Sequence, residues 1–162
     1  MKIDLLEITD LHKVRELALK IWPIAYKEMI SKEQIEYMLN WMYNQDALEQ
    51  QHKEGHQFYL ISDKDETQGF LDIEIEAENK RLKVHKLYVL TEKHGMGYGR
   101  ILLHFAFEKA KSEGIKEVYL QVNRNNPAVN FYQKQGMRIL ETADFDIGNG
   151  YFMNDYIMSK EV

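Results

Sequence analysis

The sequence predicts an α/β (α+β) protein with a mixed, mostly antiparallel central sheet and helices on both faces of that sheet. Apolar residues repeat every three or four positions in the first third of the chain and every second position in its middle. Toward the end of the chain, strand-like and helix-like patterns alternate before a final pair of strands. The predicted order of elements is therefore β-α-α-α-β-β-β-α-β-α-β-β, which requires a sheet covered by helices.

Composition limits the class of protein. A length of 162 residues suits one domain, and we expect a single domain over residues 1–162. The absence of cysteine excludes disulfides and thiolate catalysis. No apolar run approaches a membrane span, and the N-terminus lacks a signal-peptide pattern, so we expect a cytoplasmic protein with no membrane partner. The net charge of −5 argues against nucleic acid as the main partner.

A strand and three helices are predicted for the first third of the chain. Asp10 is predicted to cap the first helix, and Pro23 interrupts its pattern. Ser31 and Gln34 form a capping-box pattern for the second helix, and Gly55 marks the end of the third. The predicted ranges are 3–8 for the strand, 11–22 for the first helix, 31 onward for the second and 46–53 for the third.

The rest of the chain alternates between strands and helices. One strand alternates cleanly, with Leu71, Ile73, Ile75 and Ala77 on one face and Asp72, Glu74 and Glu76 on the other. Turns are predicted at residues 63–65 and 148–150. The strands are predicted at 58–62, 69–77, 81–90, 117–122, 138–146 and 151–159, with helices after the glycines near residue 97 and over 127–135.

The segment from Leu87 to Glu113 organises the prediction of function. An apolar run is followed by glycines at every second position, namely Gly95, Gly97 and Gly99, and then by a helical pattern. A strand, a glycine loop and a helix N-terminus together direct backbone N–H groups toward an anion. A tight turn without a ligand is the alternative. Each of the three glycines costs about 0.5–1 kcal/mol in conformational freedom on folding, and close approach of the backbone to a ligand is a better reason for that cost.

Other anion loops fit the segment less well. A P-loop needs Lys and Ser or Thr after its last glycine, where this chain has Arg100 and Ile101. The dinucleotide fingerprint needs G-x-G-x-x-G near the start of a βαβ unit, whereas the spacing here is G-x-G-x-G.

Two motifs in register carry a family resemblance. The sequence LYVLTEKHGMGYGRILL, followed about 20 residues later by VNRNNPAVNFYQKQGM, resembles the GNAT superfamily of N-acetyltransferases. The resemblance extends from about Gln57 to Lys160. It implies acetyl-CoA as co-substrate, an amine as acceptor and no metal. The family's loop pattern, Gln/Arg-x-x-Gly-x-Gly/Ala, departs at its first position, where this chain has His94.

The resemblance also implies which residues bind the cofactor. Backbone groups of Leu87, Tyr88 and Val89 are expected to pair with the pantetheine arm. Backbone N–H groups from Met96 to Arg100 are expected to hold the pyrophosphate. Arg100 adds charge or is a solvated residue, and Asn125 contacts pantetheine or caps the helix at Pro127. The full expected set is Leu87, Tyr88, Val89, His94, Gly95, Met96, Gly97, Tyr98, Gly99, Arg100, Asn125 and Tyr132.

Two residues are expected to be catalytic. Tyr132 matches the family tyrosine that protonates the leaving CoA thiolate, and packing of helix on sheet is its alternative role. The attacking amine must also lose a proton. His85 is the predicted base, because the ordinary pKa of histidine, near 6.5, suits this role, and Glu74 acting through a water is its rival. Without cysteine, the amine is expected to attack the thioester directly in a ternary complex.

The acceptor is predicted only as a primary amine. Negative net charge favours a polyamine or another small cationic amine, while a protein N-terminus or a lysine stays open. A non-catalytic acyl-CoA sensor or scaffold is the alternative function.

Acidic residues near the last turn could face a cation, and aromatic residues could line the acceptor site, contribute to the core or form a homodimer contact. These residues are Asp144, Asp146 and Asp155 among the acids, and Trp22, Tyr26, Tyr37, Trp41, Phe145, Tyr151, Phe152 and Tyr156 among the aromatics.

A metal site is not predicted. His52 and His56 have the i, i+4 spacing of two ligands on one helix face, but Gly55 breaks the helix between them.

Overall fold

The computed structural model describes residues 1–162 and confirms the predicted fold class. Its seven strands form a mixed sheet in the order β1-β2-β3-β4-β5-β7-β6, in which β4 and β5 run parallel. The strands are β1 Lys2–Leu5, β2 Gln57–Asp63, β3 Glu66–Glu76, β4 Arg81–Val89, β5 Glu117–Asn123, β6 Arg138–Gly148 and β7 Tyr151–Glu161. The α-helices are α1 His12–Ala25, α2 Lys32–Tyr43, α3 Gln45–Lys53, α4 Tyr98–Ser112 and α5 Ala128–Lys134.

The chain forms two compact units. The first contains Met1–Glu74 and His85–Phe105, and the second contains Ile75–Val84 and Ala106–Val162. In the first unit, β2 pairs antiparallel with both β1 and β3. The largest fully buried side chains of this unit include Trp22, Tyr43, Phe58 and Phe70.

The second unit is built around β5 and β7. These two strands pair antiparallel along their length, and β7 forms a hairpin with β6. The start of β4 pairs parallel with β5, from Arg81 opposite Glu117 to Val84 opposite Leu120. Val118, Ala110 and Met158 are completely buried and form part of its core.

The first helix differs from its prediction at both ends. Leu11, with no side-chain hydrogen bond, occupies the N-cap position, so the predicted cap by Asp10 is wrong. Asp10 instead lies in a short 3₁₀ helix and forms an ion pair with Lys13.

Pro23 does not end the first helix, which continues to Ala25. Proline lacks an N–H group and so forfeits one hydrogen bond, but burial of the α1 stripe, including Trp22, outweighs that loss.

The other predicted helix signals are confirmed. The Ser31 hydroxyl accepts a hydrogen bond from the Gln34 N–H at 3.1 Å and caps α2. Gly55 follows α3 with a φ of 108°, a conformation that favours glycine. None of the five helices combines the length and apolar character that crossing a bilayer requires.

Both predicted hairpin turns have the expected geometry. Lys64 and Asp65 connect β2 to β3 with φ angles of 49° and 65°, and Asn149 and Gly150 connect β6 to β7 with 53° and 78°. Two consecutive residues with positive φ match the right-handed twist of the flanking strands. The turns therefore fix the register of both hairpins.

Candidate active site

The glycine loop, residues 94–100, delivers backbone donors to the start of α4. Gly95 and Gly97 have φ angles of 81° and 89°, where other residues are strained. The first hydrogen bond of the helix joins the Ile101 N–H to the Gly97 carbonyl at 3.0 Å. The N–H groups of Tyr98, Gly99 and Arg100 precede it and have no acceptor within the helix. Together with the helix dipole, they favour a bound anion.

Side chains of the loop are engaged within the fold. His94 Nε2 lies 3.0 Å from the carbonyl oxygen of Val89, so its N–H donates to the end of β4. The buried Tyr98 hydroxyl donates to Asp63 at 2.9 Å, which raises the pKa of Tyr98 and lowers that of Asp63. The Met96 N–H approaches the Lys93 carbonyl at 3.4 Å, and Arg100 is exposed. The anion donors of the loop are therefore mainly backbone groups.

The end of β4 lies directly against β3. A side chain on Gly69 would collide with the backbone oxygen of Tyr88, so glycine permits this approach. The Tyr88 hydroxyl is 2.8 Å from that of Tyr26. Leu87 and Tyr88 are half-buried, while Val89 is buried. These are the residues whose main chain is expected to pair with pantetheine.

The predicted base and its rival are in direct contact. His85 Nε2 lies 2.7 Å from a carboxylate oxygen of Glu74, and both side chains are partly exposed. Because a carboxylate only accepts, Nε2 carries the hydrogen of this bond. In the neutral ring, the lone pair that can take a proton is then on Nδ1. A carboxylate that fixes the tautomer of a histidine is a common arrangement in general base catalysis.

A buried ion pair adjoins this contact and was not predicted. Asp72 is completely buried, and its carboxylate accepts from Lys86 Nζ at 2.5 Å and from His56 Nδ1 at 2.9 Å. Lys86 is also buried and donates to Gln51 Oε1 at 2.7 Å. Burial alone would raise the pKa of Asp72, but the charge of Lys86 and the hydrogen bond from His56 lower it below its ordinary value.

His56 is hydrogen-bonded to Asp72 and packs beside His85. Its ring stacks on that of His85, with centroids 4.0 Å apart. Its Nε2 lies 3.8 Å from Glu74, beyond hydrogen-bond range. The nitrogen and oxygen atoms of His56, Glu74 and His85 lie within 4.8 Å of one another, but hydrogen bonds account for this spacing without a metal ion. We call His56, Asp72, Glu74, His85 and Lys86 the histidine cluster.

The other predicted site residues belong to the second unit. Tyr132 in α5 is 8% exposed, and its ring lies 5.2 Å from that of Phe131. Asn125 is exposed and follows β5. Pro127 occupies the N-cap position of α5 without a side-chain capping hydrogen bond, so capping by Asn125 is wrong. The Asn126 side chain accepts from the Ala128 N–H at 2.9 Å. The expected contact of Asn125 with pantetheine stays a prediction.

One acid of the last hairpin is distinctive. Asp155 is 3% exposed, and its burial raises its pKa to about 6. Arg124, which lowers this pKa, forms an ion pair with Asp144 instead. Asp155 therefore carries a carboxyl group whose charge changes near pH 6.

The aromatic residues of the N-terminal helices divide into core and surface. Trp22 is 2% exposed and donates to the Tyr43 hydroxyl at 3.3 Å, so it belongs to the core. Trp41 is 49% exposed and stacks with Tyr37. Tyr26 is half-buried beside Tyr88.

Comparison with known proteins agrees with the resemblance seen in the sequence. The model of the acetyltransferase (GNAT) family matches residues 11–137. A solved structure of PaiA N-acetyltransferase from Thermoplasma acidophilum, in complex with coenzyme A, superimposes with a TM-score of 0.81 at 27% identity and covers 100% of both chains.

Two curated relatives differ in coverage. A spermidine N(1)-acetyltransferase of Thermoplasma acidophilum is 28% identical over 167 residues, covering 99% of this chain and 97% of its own length. An uncharacterized N-acetyltransferase of Mycobacterium tuberculosis is 35% identical over 89 residues, 54% of this chain. The match spans 56% of that relative's length, just over half.

Proposed function

Because the chain belongs to the acetyltransferase (GNAT) family, we propose that it transfers the acetyl group of acetyl-CoA to a primary amine. One functional domain over residues 1–162 carries the reaction, in which the amine attacks the thioester directly in a ternary complex. The observation that carries this proposal is the glycine loop, whose backbone donors at the start of α4 lie within the family match.

The glycine loop binds the pyrophosphate of acetyl-CoA. The N–H groups of Tyr98, Gly99 and Arg100 donate to its oxygens, and each such bond to a charged group contributes roughly 1.5–3 kcal/mol. The main chain of Leu87, Tyr88 and Val89 pairs with the pantetheine arm, with Asn125 as a further contact. His94 supports the loop through Val89 rather than through phosphate.

His85 takes the proton that the alkylammonium substrate must lose. Glu74 holds the Nε2–H of His85, so the lone pair of Nδ1 accepts the proton. The neutral amine then attacks the thioester carbonyl; a C–N bond forms and the C–S bond breaks. The nitrogen loses its second proton as the neutral amide forms, and this proton restores the Tyr132 hydroxyl by way of solvent after Tyr132 has donated. The Tyr132 hydroxyl donates its proton to the leaving thiolate, which departs as CoA thiol. A positioned acid or base of this kind contributes about 10²–10⁴-fold to the rate.

A polyamine or another small cationic amine is the acceptor we propose. The relative that matches nearly the whole chain is a spermidine N(1)-acetyltransferase. The net charge of −5 attracts cations, and Glu74 places a partly exposed carboxylate beside the proposed base.

The test is release of CoA thiol from acetyl-CoA with a panel of amines: spermidine, spermine, putrescine, a lysine peptide and a peptide with a free N-terminus. We expect the highest kcat/KM with a polyamine. Tyr132→Phe should lower kcat about 100-fold. Tyr59→Phe is the matched control, because Tyr59 is also buried and its hydroxyl donates to Gln57.

Two results would contradict the proposal. Binding of acetyl-CoA without thiol release from any amine would favour an acyl-CoA sensor or scaffold. Higher kcat/KM with a peptide than with polyamines would identify a protein N-terminus or lysine as acceptor.

A further inference from the structure

Two pairs of histidine and carboxylate face each other in the histidine cluster. His85 is paired with Glu74, and His56 is paired with Asp72. The two imidazole rings are stacked with their centroids 4.0 Å apart and their planes inclined by 29°. The proposed reaction uses only the first pair, so the second pair needs an explanation of its own.

Hydrogen bonding to Asp72 fixes the ring of His56. Both oxygens of Asp72 lie 2.9 Å from His56 Nδ1, and Asp72 itself is fixed by the 2.5 Å ion pair with Lys86. His56 is also close to the ring of Phe58, with centroids 6.1 Å apart and planes inclined by 22°. The imidazole of His56 therefore has two aromatic neighbours, and its Nδ1 is hydrogen-bonded to a buried carboxylate.

His56 does not compete with His85 for Glu74. Because Nδ1 of His56 donates to Asp72, its neutral ring has only a lone pair on Nε2. That nitrogen is 3.8 Å from Glu74 Oε2, which accepts from His85 at 2.7 Å instead. The side chain thus contacts the predicted base through its ring face and leaves the hydrogen bond of that base intact.

We propose that His56 is a positioning residue whose ring, fixed by Asp72, is the platform on which the imidazole of His85 stacks. This inference rests on the proposed function, in which His85 is the base. The last side-chain torsion of a histidine has broad preferred ranges, so the hydrogen bond to Glu74 does not by itself define the ring plane of His85. Stacking removes this freedom and keeps the accepting nitrogen in one direction, which proton transfer requires.

Two substitutions distinguish the contribution of the His56 ring from the contribution of its hydrogen bond to Asp72. His56→Phe and His56→Leu both remove the donor to Asp72 and both supply an apolar side chain, but only phenylalanine keeps a flat ring. We expect His56→Phe to retain kcat within about threefold of the original chain, and His56→Leu to lose about 10- to 100-fold. The KM for acetyl-CoA should stay unchanged in both. Equal kcat values in the two variants, whether high or low, would overturn the role of the ring.

Nitrogen-15 NMR of the histidine rings provides a readout that does not depend on turnover. We expect His56 to carry its hydrogen on Nδ1 and His85 to carry its own on Nε2. Because Glu74 fixes the tautomer of His85 in every variant, the informative quantity is the mobility of its ring. The His85 ring signals should stay as narrow in His56→Phe as in the unsubstituted protein and should broaden in His56→Leu. Equal line widths in the two variants would contradict the proposal. Absence of amine turnover in the original chain would instead defeat the proposed function and leave this spectroscopic result interpretable.

Discussion

The glycine loop and the histidine cluster are built in opposite ways. In the loop, the groups available to a ligand are backbone N–H groups at the start of α4, while the side chains of His94 and Tyr98 bond within the fold. In the cluster, all the polar groups are side chains, and they bond to one another at 2.5–2.9 Å.

This difference determines which substitutions damage each region. A backbone site depends on φ angles, so changes to its side chains matter little unless they alter the conformation. A buried network of side chains depends on every member, because removing one partner leaves another polar or charged group buried without its hydrogen bond or its counter-charge. Substitutions should therefore separate cofactor binding from proton transfer and stability.

The largest effect is expected at the base. His85→Ala should lower kcat for amine acetylation about 100- to 10,000-fold, because the amine loses its proton acceptor. His104→Ala is the control, since His104 is an exposed histidine of α4. Steady-state thiol release measures both variants, and a His85→Ala variant with undiminished kcat would transfer the role of base to Glu74 acting through a water.

The next effect concerns stability. Lys86→Met should lower the free energy of unfolding at pH 7 by about 3–5 kcal/mol, because it leaves the charge of Asp72 buried and unpaired. Lys111→Met, which breaks an exposed ion pair with Glu108, should cost no more than about 1 kcal/mol. Urea unfolding followed by circular dichroism compares the two variants.

The ion pair between Lys86 and Asp72 also predicts how the free energy of unfolding depends on pH. The folded pKa of Asp72 is lowered from 3.8, so its ion pair contributes stability above that pH and loses it as the pH falls through the lowered pKa. The destabilisation by Lys86→Met should therefore shrink below pH 3.8. A difference that is as large at pH 3 as at pH 7 would show that the lysine acts through packing rather than charge.

The sequence predicted the loop better than the cluster for a physical reason. Glycines, a following helix and a two-residue Asn149-Gly150 turn are local signals, and each fixes backbone conformation over a few residues. Alternation along β3 placed Asp72 with Glu74 and Glu76, but it could not show whether that face is covered. Asp72 is buried there, and its partner Lys86 lies 14 residues further on.

Long-range packing also explains the other differences. The carboxylate in the apolar run Phe70-Leu71-Asp72-Ile73 was the available signal for a buried pair, since a lone acid in a buried strand needs a partner. The i, i+4 spacing relates His56 only to His52, whereas the contacts of His56 are to Asp72 in β3 and His85 in β4. Pro23 was predicted to end α1, and the packing of Trp22 overrides this local preference.

A smaller effect is expected when the loop conformation changes. Gly97→Ala places a side chain at a φ of 89°, where no neighbouring atom would block it but the backbone is strained. Acetyl-CoA should bind about tenfold more weakly, which corresponds to about 1.4 kcal/mol. Gly114→Ala imposes similar strain at the other end of α4, where φ is 69°, and should leave this affinity unchanged. Equal losses in both variants would indicate a general effect on the helix.

The smallest effect is expected at the residue that departs from the family pattern. His94→Ala should weaken acetyl-CoA binding less than about threefold, because the imidazole bonds to Val89 and the backbone donors remain. Fluorescence competition with a labelled CoA measures this constant. A loss above tenfold would mean that His94 donates directly to the cofactor.

Calorimetric titration of acetyl-CoA into the unsubstituted protein and into His85→Ala shows whether backbone groups bind the cofactor while a separate side-chain cluster activates the amine. We predict equal dissociation constants, within about threefold, in a variant that has lost turnover. Absence of binding to the original chain at millimolar acetyl-CoA, or loss of binding in His85→Ala, would contradict it.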